Sequence, residues 1–162
     1  MSGSTTSSSP TTPSRLRRAA CAFALSCLTA SALQAQEAGA GRIKMASGSA
    51  FIIRQQASIP AKVGVVVFES DLLRTGTDGR IGMTLKDDTR VSLGPQTEVR
   101  ISRLAYAPAE GRFALVLSIA RGVVAYVSGH IARLSADSVR VQTPNAVIGV
   151  RGTRLAIYVP DR

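Results

Sequence analysis

From Ala50 onward apolar residues fall at every second position, and turn residues interrupt them about every eight to twelve. Ile81, Met83 and Leu85 alternate with Gly82, Thr84 and Lys86; after Lys86-Asp87-Asp88-Thr89 the pattern resumes with Val91 and Leu93. A period of two gives a strand one apolar face, whereas a helix needs a period near 3.6. Gly94-Pro95-Gln96 breaks the chain again, Val99 and Ile101 restart it, and a loop over 105–111 leads to Phe113, Leu115, Leu117 and Ile119. Arg121-Gly122 then turns the chain into 123–127, and a short helix fits only within 130–138. The pattern predicts an all-β fold, a single domain of short antiparallel strands and turns. A β-solenoid or β-roll is the expected form, with a β-sandwich as the alternative.

The first residues obey a different rule. Residues 1–14 are rich in Ser, Thr and Pro, Arg15, Arg17 and Arg18 form a basic patch, and an apolar run over 19–29 ends in the small residues Ala30, Ser31 and Ala32. That order is a secretory leader, with cleavage expected after Ala32 or Ala35. The run is shorter than the roughly 20 apolar residues that span a membrane, so no transmembrane helix is expected in the mature chain. The expected organisation is a signal peptide over 1–35, a linker and first strand over 36–49, and the β domain over 50–162. Export makes the periplasm or the exterior the expected location.

Cys21 and Cys27 both leave with this leader, so no disulfide or thiolate metal site is available to the mature domain. About 125 residues must then be held by one hydrophobic core. The formal charge of +10 falls by three, to +7, when Arg15, Arg17 and Arg18 are removed. The remaining arginines are spread along the chain and aromatic residues are few, a poor basis for nucleic acid binding. A solvated basic face, or peripheral contact with an anionic envelope surface, fits better. His130 is the only histidine and has no second ligand at metal-binding spacing. Asp87 and Asp88 sit where short acidic side chains make turns. No catalytic, cofactor-binding or metal residue is assigned, and no cofactor is expected.

Several short motifs recur in a fixed order: Glu69-Ser70-Asp71-Leu72-Leu73-Arg74-Thr75-Gly76, Asp87-Asp88-Thr89, Pro95-Gln96-Thr97, Arg121-Gly122-Val123, and Thr143-Pro144-Asn145-Ala146 followed by Arg151-Gly152-Thr153. In this order they resemble the FecR domain family over almost the whole mature chain. Ser70 and Asp88 stand where that family usually has Gly, so both turns must be made by residues that enter positive φ less readily. The resemblance implies that Asp71, Thr75, Gly76, Asp87, Thr89, Gly122, Thr143, Pro144, Arg151, Gly152 and Thr153 form the structural motif. It also implies membrane-spanning regulators whose periplasmic domain senses an outer-membrane receptor. With about 18 polar residues ahead of the apolar run, contact with a sigma factor is not expected here.

A charge in a buried strand costs several kcal/mol unless paired. Since the family carries Asp in the early turn and Arg in the late strand, the resemblance implies that they meet. Arg151 is expected to be a buried strut against Asp71 or another turn carboxylate, while Arg154 faces the opposite side. The functional expectation is an exported, non-enzymatic module for protein interaction or signal sensing in the bacterial envelope, with an envelope protein as partner. The alternative is a binding module for anionic envelope glycan or lipid.

Overall fold

A computed structural model describes residues 39–151 and 154–161. The all-β expectation holds: the described residues form strands joined by turns, with one short helix and two 3-10 turns. The strands are β1 (Gly41–Ser47), β2 (Ala50–Arg54), β3 (Ala57–Pro60), β4 (Val66–Val67), β5 (Leu72–Thr75), β6 (Arg80–Leu85), β7 (Arg90–Leu93), β8 (Glu98–Ala107), β9 (Arg112–Val127), β10 (Val139–Gln142), β11 (Val147–Gly149) and β12 (Arg154–Val159). The expected leader, residues 1–35, and Gly152 and Thr153 lie outside the described residues.

Pairing organises these strands into one curled sheet with two leaves that share β9. Residues 124–127 of β9 pair with β7 on one side and residues 122–127 with β12 on the other, and this leaf continues through β6 and β1 to β4. Residues 112–121 pair with β8, and that leaf continues through β5 and β2 to β3. Beyond β9 it gains β10 and β11. Every ladder is antiparallel except β9 with β10. The repeated parallel coils of a solenoid are not the form this pairing takes.

The alternation read from the sequence is the burial pattern of the sheet. Ile81, Met83 and Leu85 of β6, Val91 and Leu93 of β7, and Val124 and Tyr126 of β9 turn inward from the first leaf. Ile52, Leu73, Val99, Ile101, Leu115 and Leu117 turn inward from the second, and both sets join one core cluster. Truncating such a residue to Ala costs about 2–5 kcal/mol, because the packed surroundings only partly collapse into the gap.

Arg121-Gly122 does not separate two strands as the sequence pattern implies. It lies inside one strand of 16 residues. Gly122 has φ of 95°, and a Cβ there would collide with the Thr97 hydroxyl and backbone. The left-handed residue bends β9 so that its halves serve different leaves, which a side chain would prevent. The helical stretch is α1 (His130–Leu134) followed by a 3-10 turn, Ala136–Ser138.

Candidate interaction surface

Asp71, Thr75, Asp87 and Thr89 of the motif are interior, whereas Pro144 and Arg151 are exposed. Asp71 is only 1% exposed, and both its carboxylate oxygens are used. Arg54 Nε donates to Oδ1 at 2.9 Å and Arg54 Nη2 to Oδ2 at 2.8 Å, and the Phe68 amide donates to Oδ2 at 2.8 Å. Arg54 also donates to the Val66 carbonyl and lies 4.4 Å from the Phe68 ring centroid. A planar guanidinium fits a carboxylate with two parallel bonds, which is why arginine serves a buried acid well. The partner of Asp71 is therefore Arg54, on β2. Arg151, expected there, is 77% exposed and pairs with Asp137 at 2.6 Å. That correction has a plain cause: the Asp71 turn packs against the end of β2, and its acceptor sites are filled from there.

Thr75 and Thr97 lock the next turn. The Thr75 hydroxyl donates to the Gly94 carbonyl at 2.7 Å and accepts the Thr97 amide at 2.9 Å. The Thr97 hydroxyl in turn accepts the Val123 amide at 3.0 Å, beside the Gly122 bend. Gly76 donates to the Ser49 carbonyl and accepts from Gln96.

Asp87 and Thr89 do the same at the β6–β7 hairpin. Fully buried, Asp87 accepts the Thr89 hydroxyl at 2.7 Å, the Thr89 amide at 3.2 Å and the Ile131 amide at 3.4 Å. The last of these belongs to the first turn of α1, so the hairpin acid ties down the helix. Ser70 and Asp88 do adopt positive φ, 72° and 63°, at the positions where glycine was missing. Thr143 closes a small turn with Ala146, its amide donating to the Ala146 carbonyl and its hydroxyl accepting the Ala146 amide. Pro144 beside it is exposed.

The buried polar residues among those described are Asp71, Thr75, Asp87, Thr89 and Thr97. All five lie in the motif stretches, and their hydrogen bonds hold turns, leaving little for a ligand.

What faces outward on the second leaf is a charged cluster that the motif reading missed. Glu98 accepts Arg74 at 2.9 Å and Arg121 at 2.7 Å, and Arg121 also holds Asp161 at 2.9 Å. Glu98, followed by Asp161, raises the Arg121 guanidinium above its ordinary value. Two shallow hollows of about 300 and 370 Å³ adjoin here and share Glu98, Ala120 and Pro144. A third, of about 280 Å³, lies against Phe51, Arg74, Gln96 and Arg121. No histidine or cysteine lines any of the three. The only sign of this cluster in the sequence was the opposite charge of outward positions on β5, β8 and β9, whose register a sequence does not supply.

His130 stands elsewhere, 3.0 Å from Asp88, with both side chains exposed. Among the described residues no group of three or more His, Cys, Asp or Glu could hold a metal ion, and no helix is long and apolar enough to cross a membrane.

The model of the FecR protein family matches residues 71–162, more than half of the chain. The chain belongs to the FecR family. FecR proteins are envelope-associated signalling proteins with a regulatory role. No curated protein and no solved structure matches the chain. The FecR match starts at Asp71, yet the partner of Asp71, Arg54, lies ahead of it. The first strands of the sheet thus complete the FecR turn from outside the matched segment.

Proposed function

We propose that this chain is an exported, non-enzymatic FecR module that senses or relays a signal in the envelope by binding a protein partner. The leader over 1–35 is removed, and residues 36–162 work in the periplasm or outside the cell. The observation that carries this reading is the family match over 71–162. Two further observations support it. The motif side chains are engaged in turns, and the open hollows around Glu98, Arg121 and Pro144 combine charge with an apolar floor of Leu72, Ile119 and Ala120. Partner surfaces of standard size mix such elements, with a dry centre and a polar rim.

Two readouts on the expressed protein test it. N-terminal sequencing of the exported form begins within a few residues of Gln36. A photo-crosslinker at Ala120, on the hollows, gives one discrete adduct with an envelope protein, while the same group at Ala57 on edge strand β3 does not. Full-length protein confined to the cytoplasm, or equal diffuse adducts from both positions, would contradict the proposal.

A further inference from the structure

The outer face of the first leaf differs from that of the second in its charges. In the order β1–β6–β7–β9–β12, cross-strand pairing aligns outward side chains in rows that run across the strands. One row consists of the half-exposed Met45 on β1 and the small residues Gly82, Ser92, Ala125 and Ala156, with the Met45 side chain lying over Gly82. On one side of it runs Arg42, Thr84, Arg90, Val127 and Arg154. On the other stand Arg80 and the pair Val123 and Tyr158. Long side chains rise on both sides of a floor that is small over β7, β9 and β12 and is closed by Met45 at the β1–β6 end. The flanking rows are four residues apart along each strand, so the trough is about 13 Å wide between backbones.

Its charge is of one sign. No acidic residue occupies these rows, and among the described residues Arg80, Arg90 and Arg154 form no ion pair. On the second leaf Arg74 and Arg121 are neutralised by Glu98 and Asp161. Arg42, Arg90 and Arg154 fall on alternate strands, which spaces their backbones by about 10 Å. Tyr158, 72% exposed, offers a ring beside the floor.

We propose that this trough binds a linear acidic polysaccharide, with Arg42, Arg90 and Arg154 meeting its carboxylates and Tyr158 lying against a sugar face. A polyuronate ribbon with two sugars per turn turns every second carboxylate to the same side, a repeat of the same order as the arginine spacing. A flat floor admits sugar rings edge to edge. Duplex nucleic acid carries its charges far more densely, at one per about 1.7 Å of axis, and a single exposed aromatic gives single strands little to stack on. An anionic bilayer favours a continuous face of large apolar side chains that insert below the headgroups; here Met45, Val123 and Tyr158 are exposed but stand at one end and along one wall, with Ser92, Ala125 and Ala156 between. The polymer is met only outside the cytoplasm, so the biological role rests on the exported reading, although binding by purified protein does not.

Affinity electrophoresis of the mature protein in gels containing polygalacturonate, with neutral dextran as control, tests this directly. The wild type is retarded by polygalacturonate at low salt and not by dextran. The Arg90→Ala/Arg154→Ala variant loses about tenfold in affinity, the sum of two exposed charge pairs. Arg103→Ala/Arg140→Ala removes the same charge from the second leaf and stays within about twofold of wild type. Ala125→Gln fills the floor without changing charge and also weakens binding. Equal losses in the two double variants, no retardation at all, or tighter binding to phosphatidylglycerol vesicles or a single-stranded oligonucleotide would overturn the proposal. Retardation by an otherwise cytoplasmic protein would leave the trough standing and remove only the export reading.

Discussion

A carboxylate as deeply buried as Asp71 is accommodated at low cost only while a cation and amides satisfy it. Arg54→Ala leaves it with the Phe68 amide alone and is expected to lower stability by on the order of 2–3 kcal/mol, below the value for a fully dry pair because Arg54 is 31% exposed. Arg151→Ala, at an exposed pair, stays within about 0.5 kcal/mol; urea unfolding of the two variants checks both. The sequence showed that Asp71 needed a partner. It did not show which, because strand alternation says that a side chain points inward but not which strand end it meets. Arg54 lay in no motif and carried no signal beyond its place at the end of an alternating strand. Tyr126 offers a second test at this scale. Burial pushes its phenol up, and its hydroxyl has no hydrogen-bond partner among the described residues. A raised folded value means that the unfolded chain ionises first, so stability is full below the ordinary tyrosine value, about 10, and falls as pH rises beyond it. Alkaline unfolding followed by circular dichroism should begin near that pH in wild type and shift upward in Tyr126→Phe.

Strands were the most legible elements, since each needs only a period of two to declare itself. Burial along β6 and β7 follows the alternation residue by residue. The error came at β9, where a Gly after an Arg reads as a turn. Gly122 is instead a bend within a paired strand, and the distinction depends on Thr97, 25 positions earlier, packing against it. The parallel ladder of β10 on β9 likewise has no local sequence signature. Gly122→Ala would force a Cβ into the Thr97 side chain at a φ that disfavours any side chain. The expected cost is on the order of 2–3 kcal/mol, measurable as a lowered unfolding midpoint. Substituting Gly111, which also has positive φ but faces open space, is expected to cost about 1 kcal/mol, the backbone penalty alone.

In the whole molecule, polar interior and polar exterior have separate tasks. Asp71, Thr75, Asp87 and Thr89 hold turns that close the sheet around its core, and the order of those turns along the chain is what the family pattern records. The family was legible for that reason. The two outer faces were not, because they arise from strand order: the Arg74–Glu98–Arg121 cluster and the row of Arg42, Arg90 and Arg154 each draw on strands distant in sequence. If the motif is a frame and recognition belongs to the faces, a motif substitution and a face substitution must fail in different ways. The unfolding midpoint of Asp87→Ala measured beside that of Ala120→Arg tests this most directly. Asp87→Ala removes the acceptor of three hydrogen bonds and is predicted to lose on the order of 2–3 kcal/mol. Ala120→Arg, at an exposed position, is predicted to unfold within about 0.5 kcal/mol of wild type while losing the crosslinked partner. An Asp87→Ala protein as stable as wild type that no longer captures the partner would contradict the account and make the motif itself the recognition site.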